Sequence, residues 1–225
     1  MRASALAADR AALVALSAAI AGGDRGRLAA RLDEAEQAAG PAAVEEAVLQ
    51  SYLFVGFPAA LNALGLWRER RPEVAAESEP PELERWRTRG EAVCATVYST
   101  AYDALRANVE RLHPDLEMWM LTEGYGKVLG RPGLDLGTRE LCIAALLAAL
   151  DAPRQLHSHL RGCLNAGVPA EQVSAALEIA LAEAEAAAVR VAADRAVRHR
   201  EVWARVRGRH EGKDSKGREN PGGEE

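Results

Sequence analysis

The stretch Leu136–Gly167, LGTRELCIAALLAALDAPRQLHSHLRGCLNAG, constrains the fold more than any other part of the chain. It reads as two helices joined by a tight turn. Asp151-Ala152-Pro153 separates them, because proline disfavours helix at the residue before it and cannot continue one. The first helix is expected over Thr138–Leu150. The second is expected over Pro153–Asn165, with proline near its start and Gly167 just past its end. At about 100° per residue, Glu140 falls within about 60° of Ile143, Ala144 and Leu147. His159 falls within about 60° of Leu156 and Cys163, while His157 points about 160° away, toward solvent. A carboxylate and an imidazole thus lie on the apolar stripes of consecutive helices. An ionised group on a buried face is expensive unless it is paired, so the two serve each other or face a cavity. A simple antiparallel hairpin centred on Ala152 sets Ala145 opposite His159 and leaves Glu140 roughly 7–8 Å further along the axis. That offset favours an indirect pair lining one pocket over a direct salt bridge.

The rest of the chain is also read as helical. Hydrophobic content is 48% and aromatic content 4%, with abundant Ala and Leu. This favours helices over sheets, and no run shows sustained strand alternation, so an all-α fold is expected. The 225 residues suffice for a real core. A net charge of −5 gives no reason to expect nucleic acid or an anionic membrane as partner. No stretch approaches the roughly 18 consecutive apolar residues of a membrane span. Three cysteines without a CxxC form neither a disulfide framework nor a zinc site, which points to a reducing, cytoplasmic setting. Arg2 and the run Ala11–Ile20 mimic a secretion signal, but the run is short and Asp9-Arg10 adjoins it; a mature amphipathic helix is the expectation.

In chain order, helices are expected over Asp9–Ala21, Gly26–Ala39 and Ala42–Val55, with Gly56-Phe57-Pro58 stopping or kinking the third before Ala59–Arg70. Arg68–Pro81 is a charged, proline-containing linker, and Pro81–His113 reads as one long amphipathic helix. Pro114–Met120 opens a further segment, and the loop Gly130–Gly133 leads into the hairpin. Arg190–Arg209 reads as a basic helix, and 208–225 has no apolar residue to bury and is expected to be disordered. Leu13 matches Leu141, Gly40-Pro41-Ala42 matches the stretch 167–170, and Val44, Ala47 and Val48 match Val173, Ala176 and Leu177. The hairpin-plus-long-helix unit is therefore expected twice, offset by roughly 128 residues. The organisation is a degenerate first copy at 9–70, a linker and long helix at 71–115, a second copy at 116–207, and the tail. Ala12 stands where Glu140 stands, and Leu32 falls near the His159 position, so the first copy lacks the polar pair.

Glu140-x18-His159, RELCIAALLAAL and HLRGCLNAGVPAEQV together resemble the carboxymuconolactone decarboxylase and alkyl hydroperoxidase D-like superfamily. Its redox branch carries E-x11-C-x2-C-x3-H. Here Ala152 and Gln155 occupy the two cysteine positions. SYLFVGFPAALNAL resembles the family's Y-x-G-x-P segment, and Glu123-Gly124-Tyr125-Gly126 its E-x-Y-G element. The resemblance implies an alkyl hydroperoxidase D-like helical fold and a homo-oligomer, with a trimer as the candidate assembly. It also implies cofactor-free acid–base chemistry on a small carboxylated lactone or keto acid, with Glu140 and His159 shuttling a proton. A thiol peroxidase is the alternative, and a non-catalytic oligomer with a vestigial site the third.

Several side chains are expected around the pair. Arg139, Arg154 and Arg161 are close enough in sequence to hold an anionic substrate. Tyr52, Phe54 and Phe57 of the first copy would wall the pocket. Cys142 and Cys163 lie about 60° and 40° from the Glu140 and His159 directions, as core residues or a displaced redox pair. Gly124–Lys127 lacks the residues of a phosphate loop. His157 and His159 do not share a helix face, so no metal site is expected.

Overall fold

Every element seen is helical, and no strand occurs among the described residues, so the chain is all-α. The computed structural model describes residues 6–74 and 78–187. The helices are α1 (Ala8–Gly22), α2 (Arg25–Ala39), α3 (Pro41–Arg70), α4 (Leu83–Tyr98), α5 (Tyr102–Leu112), α6 (Pro114–Trp119), α7 (Leu136–Ala149) and α8 (Pro153–Asn165). A last helix, α9, covers 170–187. The expected basic helix Arg190–Arg209 and the tail 208–225 lie outside the described residues.

Local chemistry accounts for most boundaries. Asp24 caps α2 by accepting from the Arg27 amide at 2.9 Å. α3 opens on Pro41, and Gly56, at φ +74°, breaks its run just before Pro58. Asp135 caps α7: its Oδ1 accepts from the Thr138 amide at 3.0 Å, and the Thr138 hydroxyl donates to its Oδ2 at 2.6 Å.

Two expectations need correction. The long helix over Pro81–His113 is two helices, α4 and α5, because Ser99 adopts φ +49° and a short 3-10 turn, Ser99–Ala101, intervenes. Serine and threonine offer the backbone competing hydrogen bonds, which weakens a helix at Ser99-Thr100. Met120–Leu129 is a π-helix, a rare geometry that periodicity does not reveal.

α1 is also less amphipathic than expected. Its residues Leu13–Ile20 are all buried, as are Gly137–Leu147 of α7, and these two helices pack on each other. A helix apolar all round belongs inside a protein, not on its surface. α7 feeds three apolar clusters. Cys142 and Leu146 join Leu16, Leu32, Val48 and Trp67. Leu141, Ala144 and Ala145 join Val14, Cys163 and Ala176. Ile143 and Leu147 join Cys94, Val97 and Tyr125. α3 is long and apolar enough by composition alone to cross a membrane, yet Val44, Val48, Ala63, Leu66 and Trp67 on it belong to the first cluster.

α4 and the π-helix meet backbone to backbone. A Cβ at Gly90 would sit 1.9 Å from the Leu121 carbonyl oxygen, and one at Gly126 1.9 Å from that of Trp86. Gly90→Ala should therefore destabilise the protein by about 3 kcal/mol, since neither backbone can retreat without unpacking the cluster beneath. Gly65→Ala, at an exposed position of α3 with nothing within 4 Å of the new Cβ, should stabilise it by about 0.5–1 kcal/mol. Urea unfolding of the two variants checks this; equal midpoints would contradict the close contact.

Candidate active site

α7 presents two neighbouring charged residues, Arg139 and Glu140, and both are 0% exposed. They point to different partners. Arg139 Nη2 donates to Glu46 Oε2 at 2.7 Å and to the carbonyl of Arg131 at 2.9 Å, and Nη1 donates to Gln50 at 3.1 Å. Burial lowers the Arg139 pKa, and the Glu46 hydrogen bond opposes that. Glu46 is shared with Arg131, 2.9 Å away. Arg139 is thus an internal strut between α7 and α3. This corrects its expected role as a substrate-holding cation, because no part of it reaches solvent.

Glu140 turns the other way. Its Oε2 lies 2.9 Å from His159 Nδ1 on α8, with the imidazole 8% exposed. The pair is direct, against the indirect arrangement expected from a simple hairpin. Gly162 is the reason: a Cβ there would stand 2.2 Å from Glu140 Oε2 and 2.9 Å from Val97 Cγ1. The missing side chain lets the carboxylate reach along α8 to His159, three residues earlier on the same face. Asn165 Nδ2 donates to the Val97 carbonyl at 2.8 Å and fastens α8 to the end of α4. Glu140 Oε1 is buried without a hydrogen-bond partner, an energetically costly arrangement.

His159 faces a cleft of about 370 Å³, and Glu140 is not in its lining. The imidazole packs edge-on against Phe54, centroids 5.8 Å apart, and against Tyr98 at 6.4 Å. Tyr98 in turn meets Tyr125 of the π-helix at 6.1 Å. Burial raises the pKa of both phenols, so both stay protonated, and their hydroxyls hydrogen-bond each other. Trp119, Met120, Leu53 and Leu129 complete the apolar wall, and Glu123 adds a carboxylate.

Other expected site residues lie elsewhere. Tyr52 and Phe57, 5.1 Å apart, line a separate hollow of about 220 Å³ with Leu61 and Lys127. The Tyr52 hydroxyl donates to Glu123 at 2.9 Å, which ties that hollow to the cleft; burial, then this bond, raises the Tyr52 pKa. Of the three aromatics from the first half, Phe54 alone lines the His159 cleft, because the chain turns at Gly56 and carries Phe57 outward. Arg161 opens with exposed His157 onto a small recess of about 180 Å³ beyond Tyr98. Arg154 is exposed and absent from the cleft lining. Cys142 and Cys163 are free, buried, and in different clusters. Burial pushes the Cys142 thiol up to about 11 and raises Cys163 as well, against formation of a reactive thiolate.

Sequence reasoning did not single out Tyr98, Glu46 or Gly162. Tyr98 and Gly162 owe their roles to contacts between helices distant in sequence. Glu46 is one of two adjacent glutamates, and nothing in the pattern says which turns inward.

Comparison with known proteins places the chain in a family. Residues 115–198, which include the pair and the π-helix, match the carboxymuconolactone decarboxylase family. The chain is 31% identical over 147 residues to Peroxisomal protein 2 of Schizosaccharomyces pombe, covering 61% of this chain and 67% of that one. It is 35% identical over 66 residues to the 4-carboxymuconolactone decarboxylase of Acinetobacter baylyi, covering 29% of this chain and 49% of that enzyme. The motifs around Glu140 and His159, the all-α fold that pairs them, and these likenesses agree: the chain belongs to the carboxymuconolactone decarboxylase family.

Proposed function

We propose that the chain is a cofactor-free acid–base enzyme of the lyase or isomerase kind, moving a proton at a carbon next to a carbonyl. One observation carries this: an imidazole at the wall of a cleft, backed at 2.9 Å by a fully buried carboxylate. A carboxylate that accepts from Nδ1–H holds the imidazole in the tautomer with Nε2 unprotonated, and it stabilises the imidazolium once a proton arrives. His159 is then the catalytic residue. Glu140 is a positioning residue behind it, not a second shuttle as the sequence suggested. Nε2 takes the proton, the C–H electron pair moves into an enolate, and the same nitrogen returns the proton to another carbon. This chemistry needs a base and a hydrogen-bond donor for the enolate oxygen, and Tyr98 and Tyr125, hydrogen-bonded to each other, line the same cleft and leave one phenol O–H to donate. Decarboxylation of a small carboxylated lactone, the reaction in the name of the bacterial relative, would use the same enolate chemistry, but no arginine or lysine among the described residues lines this cleft to hold the carboxylate.

The duplicated organisation and the assembly belong to the same proposal. α1, α2 and α3 follow the order of α7, α8 and α9, and α1 packs on α7 as one copy on the other. A homo-oligomer would cover apolar surface such as Leu112 on α5 and Met118 on α6, which are exposed and outside the cleft lining. Light scattering at micromolar concentration should give a multiple of 24.1 kDa; a monomer mass would contradict it.

Turnover can be followed without a known substrate, as deuterium wash-in next to the carbonyl of small lactones and enones in D2O. His159→Asn should lower the rate by about 10²–10⁴-fold, the usual weight of a general base. Glu140→Gln keeps an acceptor for Nδ1 and should cost about 10–100-fold, as loss of an orienting partner does. Both variants should melt near the wild type. Unaltered rates with a loss of several kcal/mol in stability would make the pair structural.

Thiol chemistry gives a separate check. An aromatic disulfide reagent should find no reactive thiol at Cys94, Cys142 or Cys163 in the native protein and all three after denaturation, since all are buried. Fast reaction at Cys142 or Cys163, with a reducible bond between them, would favour the peroxidase alternative.

A further inference from the structure

We propose that the His159 cleft takes an uncharged, largely apolar carbonyl compound and discriminates against the carboxylated form of the same molecule. This rests on the acid–base reading only for the carbonyl group; the selectivity comes from the lining itself. Three arginines were expected to hold an anion, and none lines the cleft. Arg139 is sealed against Glu46, Arg154 is outside, and Arg161 faces a different recess. Among the described residues, the charged side chain in the lining apart from His159 is Glu123, an anion.

The charge on His159 does not change this balance. When the imidazole is protonated, Glu140 neutralises it at 2.9 Å, so the pair offers little net attraction for an anion. Glu123 is partly offset by Tyr52 at 2.9 Å and Lys127 at 3.8 Å, and it is 45% exposed, so its repulsion is softened but not removed. The remaining wall is Leu53, Phe54, Trp119, Met120 and Leu129, against which a carboxylate would lose water and gain no donor. A carbonyl oxygen is different: one protonated phenol satisfies it, and the Tyr98–Tyr125 pair, one hydroxyl bonded to the other, leaves one O–H to donate. Specificity of this kind comes from building a penalty against the wrong ligand.

The test uses two probes that share one ring system, coumarin and coumarin-3-carboxylate, titrated calorimetrically into the full chain. Coumarin should bind about tenfold tighter or more, as like charges in a half-exposed site dictate. Glu123→Gln, which keeps an acceptor for Tyr52, should narrow the gap to about threefold or less by tightening the carboxylate alone. Trp119→Ala should weaken coumarin about tenfold, placing it in this cleft. Affinities read by calorimetry need no turnover, so selectivity is judged separately from the acid–base reading. Equal or tighter binding of the carboxylate overturns the proposal. So does a gap unmoved by Glu123→Gln, or no saturable coumarin binding up to about 5 mM, a weak limit for a ligand of that size.

Discussion

Two oppositely charged neighbours on one buried helix hold the molecule together. α7 has no exposed face along most of its length, so nothing on it can be solvated, yet Arg139 and Glu140 are both there. Each must find its counter-charge inside the protein, and their adjacent positions send them to different elements. Arg139 reaches Glu46 on α3 and the carbonyls that precede α7. Glu140 reaches His159 on α8. Removing Glu46 would leave the buried Arg139 charge unpaired, typically at a cost of about 3–5 kcal/mol, a large share of a domain's stability, whereas Glu140→Gln or His159→Asn keeps a hydrogen-bonding group in place. α7 is thus locked in rotation and in register by the Arg139–Glu46 ion pair and the Glu140–His159 hydrogen bond before the three apolar clusters close around it.

That locking has a functional consequence. A histidine at a cleft wall can adopt several rotamers and either tautomer, and only some serve as a base. Glu140 narrows the choice from behind, Phe54 and Tyr98 from the sides, and Gly162 leaves the room that the carboxylate needs. The base is preorganised by the same contacts that fold the hairpin. The π-helix contributes the far wall, and its irregular turn places Glu123 and Tyr125 on one side of the cleft. π-segments are tolerated where function requires an unusual placement of side chains.

The hairpin, its proline turn and its two polar residues were legible in the sequence, because charged groups on apolar stripes are costly enough to stand out. The break at Gly56 and the loop before Leu83 were legible for similar reasons of backbone chemistry. Three things were not. The break at Ser99 leaves little trace, since the apolar spacing continues through it. The direct contact of Glu140 with His159 depends on Gly162, whose meaning appears only when α7 and α8 are placed together. The split between Arg139 as strut and Glu140 as partner of the histidine depends on Glu46, ninety-odd residues earlier and with no signal of its own. Chemistry visible on one helix could be read; chemistry created between helices could not.

The account stands on the protonation pattern of a single ring. Long-range nitrogen–proton correlation NMR on the protein labelled with ¹⁵N-histidine reads it directly, with His159→Asn providing the assignment. At neutral pH the account predicts His159 with a proton on Nδ1, held by Glu140, and a bare, pyridine-like Nε2 free to act as base. In Glu140→Gln that preference should weaken. A wild-type spectrum showing the proton on Nε2, with Nδ1 accepting from a protonated Glu140, would contradict the assignment of His159 as the general base.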